Sequence, residues 1–401
     1  MVVTINKSIA NGVVEAPPSK SYAHRLLICA ALSNKPSKVK NISLSNDILA
    51  TINCLKTLGY DILIKGDTAL INKTNTILDD TLVFNCDESG STFRFIMPIA
   101  LTTGKKVKFI GTKRLIERGI GPYEEIFNLC NIEILKEDTS ITLCGKLKPG
   151  HYKLVGNISS QFISGLLFAL PLLNGKSIIE VTTNLESKNY VDITLDTLNH
   201  AGVNIRQDLN KYYIEPSIYK TCEYLVEGDY SNSSFLDAFN YFDGNVMING
   251  LNKNSFQGDT VYKEYFDKLS AGYQEIDISN CIDLGPVLFC FASLKNGGHF
   301  LNTRRLKIKE SDRVEAVKEE LAKFGVELID NGNDVIINKE NIHAPNEILN
   351  GQNDHRIVMA LSLMLSVYSG KIEGCEAVRK SYPNYFKDLE RLGIEVTYND
   401  K

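Results

Sequence analysis

The stretch Val314-Glu315-Ala316-Val317-Lys318-Glu319-Glu320-Leu321-Ala322-Lys323-Phe324-Gly325-Val326-Glu327-Leu328 decides how the chain folds. Val314, Val317, Leu321 and Phe324 recur at helical spacing, while Lys318, Glu319, Glu320 and Lys323 are assigned to the other face, so the segment predicts a half-buried helix. Gly325 predicts the helix end, because a helix usually closes on a left-handed residue and Gly adopts that conformation freely. Val326-Glu327-Leu328 then alternates as a strand does. The polar turn Asn331-Gly332-Asn333 before Val335-Ile336-Ile337 predicts a second strand and hence a hairpin.

The same phrase of helix, turn residue and alternating strand recurs along the chain. Its other copies end in Leu58-Gly59-Tyr60, Cys130-Asn131-Ile132, Ala201-Gly202-Val203, Ala271-Gly272-Tyr273 and Leu392-Gly393-Ile394. One copy would carry little weight in an α/β protein, whereas six in order form a repeat. Turn-to-turn spacings of 53 to 72 residues are long for a tight solenoid and predict compact domains built from repeated βα units. Three copies on each side of the middle predict two similar halves. The small, polar run Glu227–Ser234 reads as a linker between them, and Ala16-Pro17-Pro18 as a second, rigid crossing. A cleft between the halves is the expected ligand site.

Composition narrows the function. The 401 residues are 43% hydrophobic and 23% charged, which fits a globular chain of two or three domains. The longest apolar run, Ile357 to Tyr368, is too short to span a bilayer, and Met1 to Gly12 lacks a basic stretch followed by an apolar one. The expectation is a cytoplasmic protein with no membrane partner. A net charge of −4 gives no reason to expect nucleic acid, so any cationic site must be a local concentration. Nine scattered Cys without a C-x-x-C pair, and six His, show no metal-ligand spacing and predict reduced thiols, no metal and no organic cofactor.

Five segments outside the repeat phrase combine small residues with cations ahead of expected helices: Pro18-Ser19-Lys20-Ser21-Tyr22-Ala23-His24-Arg25, Glu88-Ser89-Gly90-Ser91-Thr92-Phe93-Arg94, Asn157-Ile158-Ser159-Ser160-Gln161, Lys309-Glu310-Ser311-Asp312-Arg313 and Asn353-Asp354-His355-Arg356. Backbone N–H groups at a helix start are unsatisfied donors, and neighbouring hydroxyls and cations complete a cradle for phosphate or carboxylate. Taken singly, each also reads as an ordinary cap or a solvated charge face. The chain has no P-loop, no G-x-S-x-G elbow and no H-E-x-x-H pair.

Together with Lys380-Ser381-Tyr382-Pro383, these segments are similar in order and wording to the 5-enolpyruvylshikimate-3-phosphate synthase family, essentially from end to end. The resemblance implies an α/β (α+β) fold of the inside-out enolpyruvyl transferase type. It has two similar domains of three βαβαββ units, residues 18–228 and residues 1–17 with 229–401, with the active site in the cleft. It implies transfer of the enolpyruvyl group of phosphoenolpyruvate to the 5-hydroxyl of shikimate 3-phosphate, with release of phosphate and no cofactor; a monomer is expected. By motif, Ser21 and Arg25 correspond to shikimate-ring and carboxylate contacts, and Ser159, Ser160 and Ser187 to ligands of the 3-phosphate, with Lys20, Gln161, Asp283 and Lys309 on the same substrate. Lys20, Gly90, Arg118, Gln161, Arg313, Arg356 and Lys380 correspond to the phosphoenolpyruvate set, and Tyr190 to a wall of the ring pocket. Asp283 corresponds to the proton acceptor at the hydroxyl, Glu310 to the proton donor at the methylene, and Lys20 to the group that protonates or neutralises the leaving phosphate.

The chain departs from the family pattern at His24, where Asn is usual, at Glu88 and Phe95 around Gly90, and at Gly119, where Pro often follows Arg118. Glu88 and Phe95 bear on donor affinity and on the response to glyphosate, which mimics phosphoenolpyruvate in this family. The related transferase that acts on UDP-N-acetylglucosamine would open with Gly-Ala-Lys-Asn and carry a loop Cys or Asp; here the opening is Pro-Ser-Lys-Ser and Thr112–Ile120 has no Cys. A silent anion-binding repeat protein would be expected to lose Asp283, Glu310 or the cations, and all are present.

Overall fold

Five of the six predicted turn residues take the left-handed backbone: Gly59, Asn131, Gly202, Gly325 and Gly393 have φ between 56° and 87°. At four of them the following N–H bonds back across the helix end, Ile132 to Phe127 O, Val203 to Leu198 O, Val326 to Leu321 O and Ile394 to Leu389 O, at 2.8–3.1 Å. These bonds satisfy carbonyls that a helix end otherwise leaves open. Each turn delivers an outer strand of an antiparallel pair. Tyr60–Lys65 pairs with Thr68–Lys73, Glu133–Glu137 with Ser140–Cys144, Arg206–Asp208 with Lys211–Ile214 and Leu328–Asp330 with Asp334–Ile337. In the sixth copy Val396–Asn399 pairs instead with the N-terminal strand Val2–Ile5.

The computed structural model describes residues 1–73, 79–221 and 223–399. It divides into a unit Pro18–Glu227 and a unit made of Met1–Pro17 with Gly228–Lys401. The first unit holds three four-stranded sheets, each with one parallel pair followed by the antiparallel pairings of its hairpin. The second unit repeats this plan twice, with Glu275–Asp277 parallel to Gly298–Leu301 in one sheet and Leu349–Asn350 parallel to Gly370–Glu373 in the other. Apolar residues of the helices and of the inner strand faces fill one core per unit.

The fourth unit is abbreviated. Gly272 has φ 166°, an extended backbone any residue adopts, and Glu275–Asp277 after it opens the next sheet instead of closing a hairpin. What stands in the hairpin's place is a two-stranded parallel sheet of Asn11–Glu15 and Asn245–Asn249.

Two details differ from the sequence reading. Gly228, expected to end the first domain, sits with the second unit: Gln257 Nε2 donates to its carbonyl at 2.8 Å, and a Cβ on it would lie 2.6 Å from Gly250 O and 2.8 Å from Ala16 Cβ. The supposed linker beyond it is structured, because Asp229 caps a helix Tyr230–Asp237 whose residues Ser231 to Asp237 are buried. Glu320, assigned to the solvent face of its helix, is only 1% exposed, and its carboxylate accepts from Lys323 Nζ and from Asn350 N. Seven of the eight described Cys are buried, Cys144 being exposed, and no helix of the described residues is long and apolar enough to cross a membrane.

Candidate active site

In the Pro18–Glu227 unit the serine-rich segments are helix caps. Ser19 Oγ accepts from Tyr22 N at the start of Lys20–Leu32, Ser89 Oγ from Thr92 N at Gly90–Leu101, and Ser159 Oγ from Gln161 N at Ser160–Ala169. A cap uses an oxygen lone pair and leaves the hydroxyl proton for an anion, so the structural and ligand-binding readings coexist. Ser187, at φ 54°, directly precedes the helix Lys188–His200.

Cations stand at these starts. Lys20 Nζ lies 2.7 Å from Asp47 Oδ2, a partner that no motif pointed to. Arg25 is buried and donates to the carbonyls of Ser21 and Tyr190 and to Thr194 Oγ1 at 2.7–2.9 Å, with its guanidinium 4.9 Å from the centre of the Phe95 ring. Burial pulls its pKa down to about 10, partly offset by Tyr190, Tyr22 and Cys29. Phe95, a departure from the family pattern, is thus the ring against which Arg25 packs.

His24, the other departure in that helix, is buried with Nδ1 2.7 Å from Thr51 Oγ1. Burial, then Lys20 and Arg25, hold its pKa well below the ordinary value, so the ring stays neutral. Thr51 Oγ1 continues to Thr92 Oγ1 at 2.6 Å and Thr92 Oγ1 to Ser89 Oγ at 2.7 Å. This chain links helix Lys20–Leu32 through His24 and helix Asn46–Thr57 through Thr51 to the start of helix Gly90–Leu101.

Arg94 Nη1 donates to Gln161 Oε1 at 2.6 Å, and Gln161 Nε2 donates to Ser91 Oγ at 3.0 Å, which links two more of the segments. Their helices approach closely because Gly165 has no side chain: a Cβ there would lie 2.4 Å from Arg94 O. Pro98 lacks the N–H that would normally bond Arg94 O; the Tyr123 hydroxyl, 2.9 Å from Arg94 O and 3.0 Å from Phe162 O, shares its proton between them. Arg118 covers Gly90, with Nη2 and Nη1 2.9 and 3.0 Å from where a Gly90 Cβ would stand. Its neighbour Gly119 has φ 69°, which a Pro could not adopt.

The second unit gathers Asp283, Lys309, Glu310, Arg313, Asp354 and Arg356. Asp283 Oδ1 accepts from Lys309 Nζ at 3.0 Å and Arg313 Nη1 at 2.9 Å, and Oδ2 accepts from Arg356 Nη2 at 3.0 Å. Burial alone would raise the Asp283 pKa, but Arg356, Lys309 and Arg313 hold it well below the usual carboxylate range. Lys309 is shifted down by burial, against the pull of Asp283. Arg313 is 1% exposed and spans three carboxylates: Nη1 on Asp283, Nη2 on Glu310 at 2.8 Å and Nε on Asp354 at 2.8 Å. Asp354 also caps the helix His355–Tyr368 by accepting from Arg356 N at 2.9 Å. Lys380 Nζ donates to Asn353 O, which ties the last sequence motif to this cluster.

Of the residues named from the sequence, Lys20, Ser21, Arg25, Gly90, Arg118, Ser159, Ser160, Gln161 and Ser187 fall in the first unit. Asp283, Lys309, Glu310, Arg313, Arg356 and Lys380 fall in the second. Asp47 and Asp354 were not singled out; Asp354 was legible inside the Asn-Asp-His-Arg motif, Asp47 was not. Among the described residues no group of His, Cys, Asp and Glu could hold a metal ion.

A repeat-built α/β protein with helix-start hydroxyls, buried guanidiniums and an ionised carboxylate among cations is a protein for handling small anions. The model of the family described as EPSP synthase (3-phosphoshikimate 1-carboxyvinyltransferase) matches residues 5–389. A 3-phosphoshikimate 1-carboxyvinyltransferase of Clostridium kluyveri is 40% identical, covering 98% of both chains, and one of Clostridioides difficile is 37% identical, covering 98% of this chain and 97% of its own. Two structures of EPSP synthase from Acinetobacter baumannii superpose with TM-scores of 0.79 and 0.80 at 19% and 18% identity, over 99–100% of this chain and 100% of theirs, which shows a common fold. The chain belongs to the EPSP synthase family.

Proposed function

We infer that the protein transfers the enolpyruvyl group of phosphoenolpyruvate to the 5-hydroxyl of shikimate 3-phosphate and releases phosphate, a step of aromatic amino-acid biosynthesis. The observation that carries this is Asp283, a partly buried carboxylate kept ionised by Lys309, Arg313 and Arg356, which gains basicity as the donor anion draws Arg313 and Arg356 away. In the proposed sequence the acceptor hydroxyl gives its proton to Asp283 as its oxygen attacks C2 of the enol ester, and Glu310 protonates the methylene carbon. The tetrahedral adduct then collapses: the methyl returns a proton to Glu310, the C2–O bond to phosphate breaks, and Lys20 protonates the departing oxygen; Asp283 releases the hydroxyl proton to solvent, from which Lys20 is reprotonated.

The proposed binding roles are those of the matching family motifs. Arg25, Ser21, Ser159, Ser160, Ser187 and Gln161 hold shikimate 3-phosphate, with Lys309 and Asp283 at its hydroxyl. Gly90, Arg118, Gln161, Lys20, Arg313, Arg356 and Lys380 hold phosphoenolpyruvate. Because Arg313 and Arg356 are neutralised by carboxylates in this structure, the donor must compete with Glu310 and Asp283 for them. The proposed setting is the cytoplasm, because multiply charged substrates do not cross a bilayer unaided, and the proposed working form is a monomer carrying both clusters.

Phosphorus NMR of a mixture of protein, phosphoenolpyruvate and shikimate 3-phosphate tests the reading. Loss of the donor signal with growth of inorganic phosphate and a shifted, retained 3-phosphate signal is expected. Phosphate released without a new 3-phosphate species would mean hydrolysis instead of transfer.

A further inference from the structure

Of the Lys and Arg residues in the sequence motifs, Arg94 alone carries no assigned role. It is 4% exposed and touches Gln161-Phe162 at two points: Nη1 donates to Gln161 Oε1 at 2.6 Å, and the guanidinium stands 4.9 Å from the centre of the Phe162 ring. The Tyr123 hydroxyl bonds both Arg94 O and Phe162 O, so the two backbones are pinned as well. A guanidinium only donates, so only the amide oxygen of Gln161 can face it. The other end of the amide, Nε2, gives one hydrogen to Ser91 Oγ at 3.0 Å and keeps a second. Ser91 alone would not set this orientation, because a hydroxyl donates to an amide oxygen as readily as it accepts from an amide nitrogen.

We propose that Arg94 is a positioning residue for this reaction: by donating to Gln161 Oε1 it fixes the amide so that an N–H, and not the carbonyl oxygen, meets the substrate anions. The proposal rests on the assignment of Gln161 to both substrates. An amide turned through half a rotation would offer its oxygen at the same place, and a lone pair repels the phosphate or carboxylate that an N–H binds. The short, charge-assisted bond from Arg94 makes that choice, since turning the amide would set its NH2 group against a cation. Because Gln161 is shared, losing the choice weakens both substrates together. That separates Arg94 from Arg25 and Arg118, each of which is assigned to one substrate.

The test is a double-mutant cycle between Arg94→Met and Gln161→Leu, read as the KM of each substrate with the other saturating, beside thermal unfolding of each variant. Arg94→Met keeps an apolar contact for Phe162 but cannot donate, so both KM values rise about tenfold while kcat changes by less than about threefold. Arg94→Lys retains a donor and returns both KM values to within about threefold of the wild type. In the Gln161→Leu background no amide remains to orient, so Arg94→Met raises neither KM further. Fully additive KM changes, or an Arg94→Met variant with both KM values of the wild type, would overturn the proposal. If Arg94→Met fails to fold, Arg94→Gln takes its place with the same expectations, because its amide bonds Gln161 in either orientation and cannot choose between them. A Gln161→Leu variant with both KM values unchanged would remove Gln161 as a ligand, and this inference with it. A wild type that does not turn over the two substrates would instead sink the functional reading itself.

Discussion

Replacing Gly90 by Ala separates the fold from the site. The new Cβ would stand 2.9, 3.0 and 3.1 Å from Nη2, Nη1 and Cζ of Arg118, against ordinary contacts of 3.4–4 Å, so the guanidinium must withdraw by about half an ångström or more. The obstructing atoms are the far end of a flexible side chain, and Gly90 is the first residue of helix Gly90–Leu101, where Ala is a better helix former than Gly by up to about 1 kcal/mol. Stability should therefore be unchanged or slightly higher. The donor loses one charge-assisted hydrogen bond, about 1.5–3 kcal/mol, so its KM should rise roughly tenfold to a hundredfold while kcat changes less. Steady-state kinetics beside thermal unfolding, for Gly90→Ala, Arg118→Ala and the double variant, would show the effect saturating in the double variant. Fully additive KM changes would refute the reasoning, because the Cβ would then act on something other than Arg118.

Other outcomes follow from the same contacts. Arg313→Leu removes the cation shared by buried Asp354 and the partly buried Asp283 and Glu310 and should cost about 3–5 kcal/mol in denaturant unfolding, far more than loss of an exposed ligand would. Asp354 is held at about 2, mainly by Arg313 against the effect of burial. Its contribution of about 2 kcal/mol is therefore complete above the unfolded value near 4 and is lost as pH falls toward 2. Unfolding curves between pH 5 and 2 should show this acid limb in the wild type and a smaller one in Arg313→Leu. With both substrates saturating, Glu310→Gln should lower kcat by about a hundredfold or more, and near-normal turnover would remove it as the acid.

The repeat was legible because its signals are local. A helix that ends at Gly59, Gly202 or Gly393 carries its own stop, and the strand after it alternates whatever its neighbours are. Gly272 shows where locality fails, since its phrase reads like the others but the strand it leads to is paired with Gly298–Leu301, a choice made by long-range partners. Glu320 fails for the same reason: helical spacing assigned it to solvent, and a neighbouring segment that ends at Asn350 covers it.

Site cations were readable from their motifs, and so were Asp283, Glu310 and, inside its motif, Asp354; Asp47, which holds Lys20, was not. Asp47 lies 27 residues from Lys20, a spacing that no chemistry dictates. Phe95 and Gly119 stood out in the sequence as departures; in the structure the first packs against Arg25 and the second supplies a left-handed turn after Arg118.

Phosphate release measured with purified protein, phosphoenolpyruvate and either shikimate 3-phosphate or UDP-N-acetylglucosamine tests the central claim most directly. Turnover with shikimate 3-phosphate alone is the predicted result. Turnover with the nucleotide sugar, or silence with both acceptors in folded protein, would contradict it.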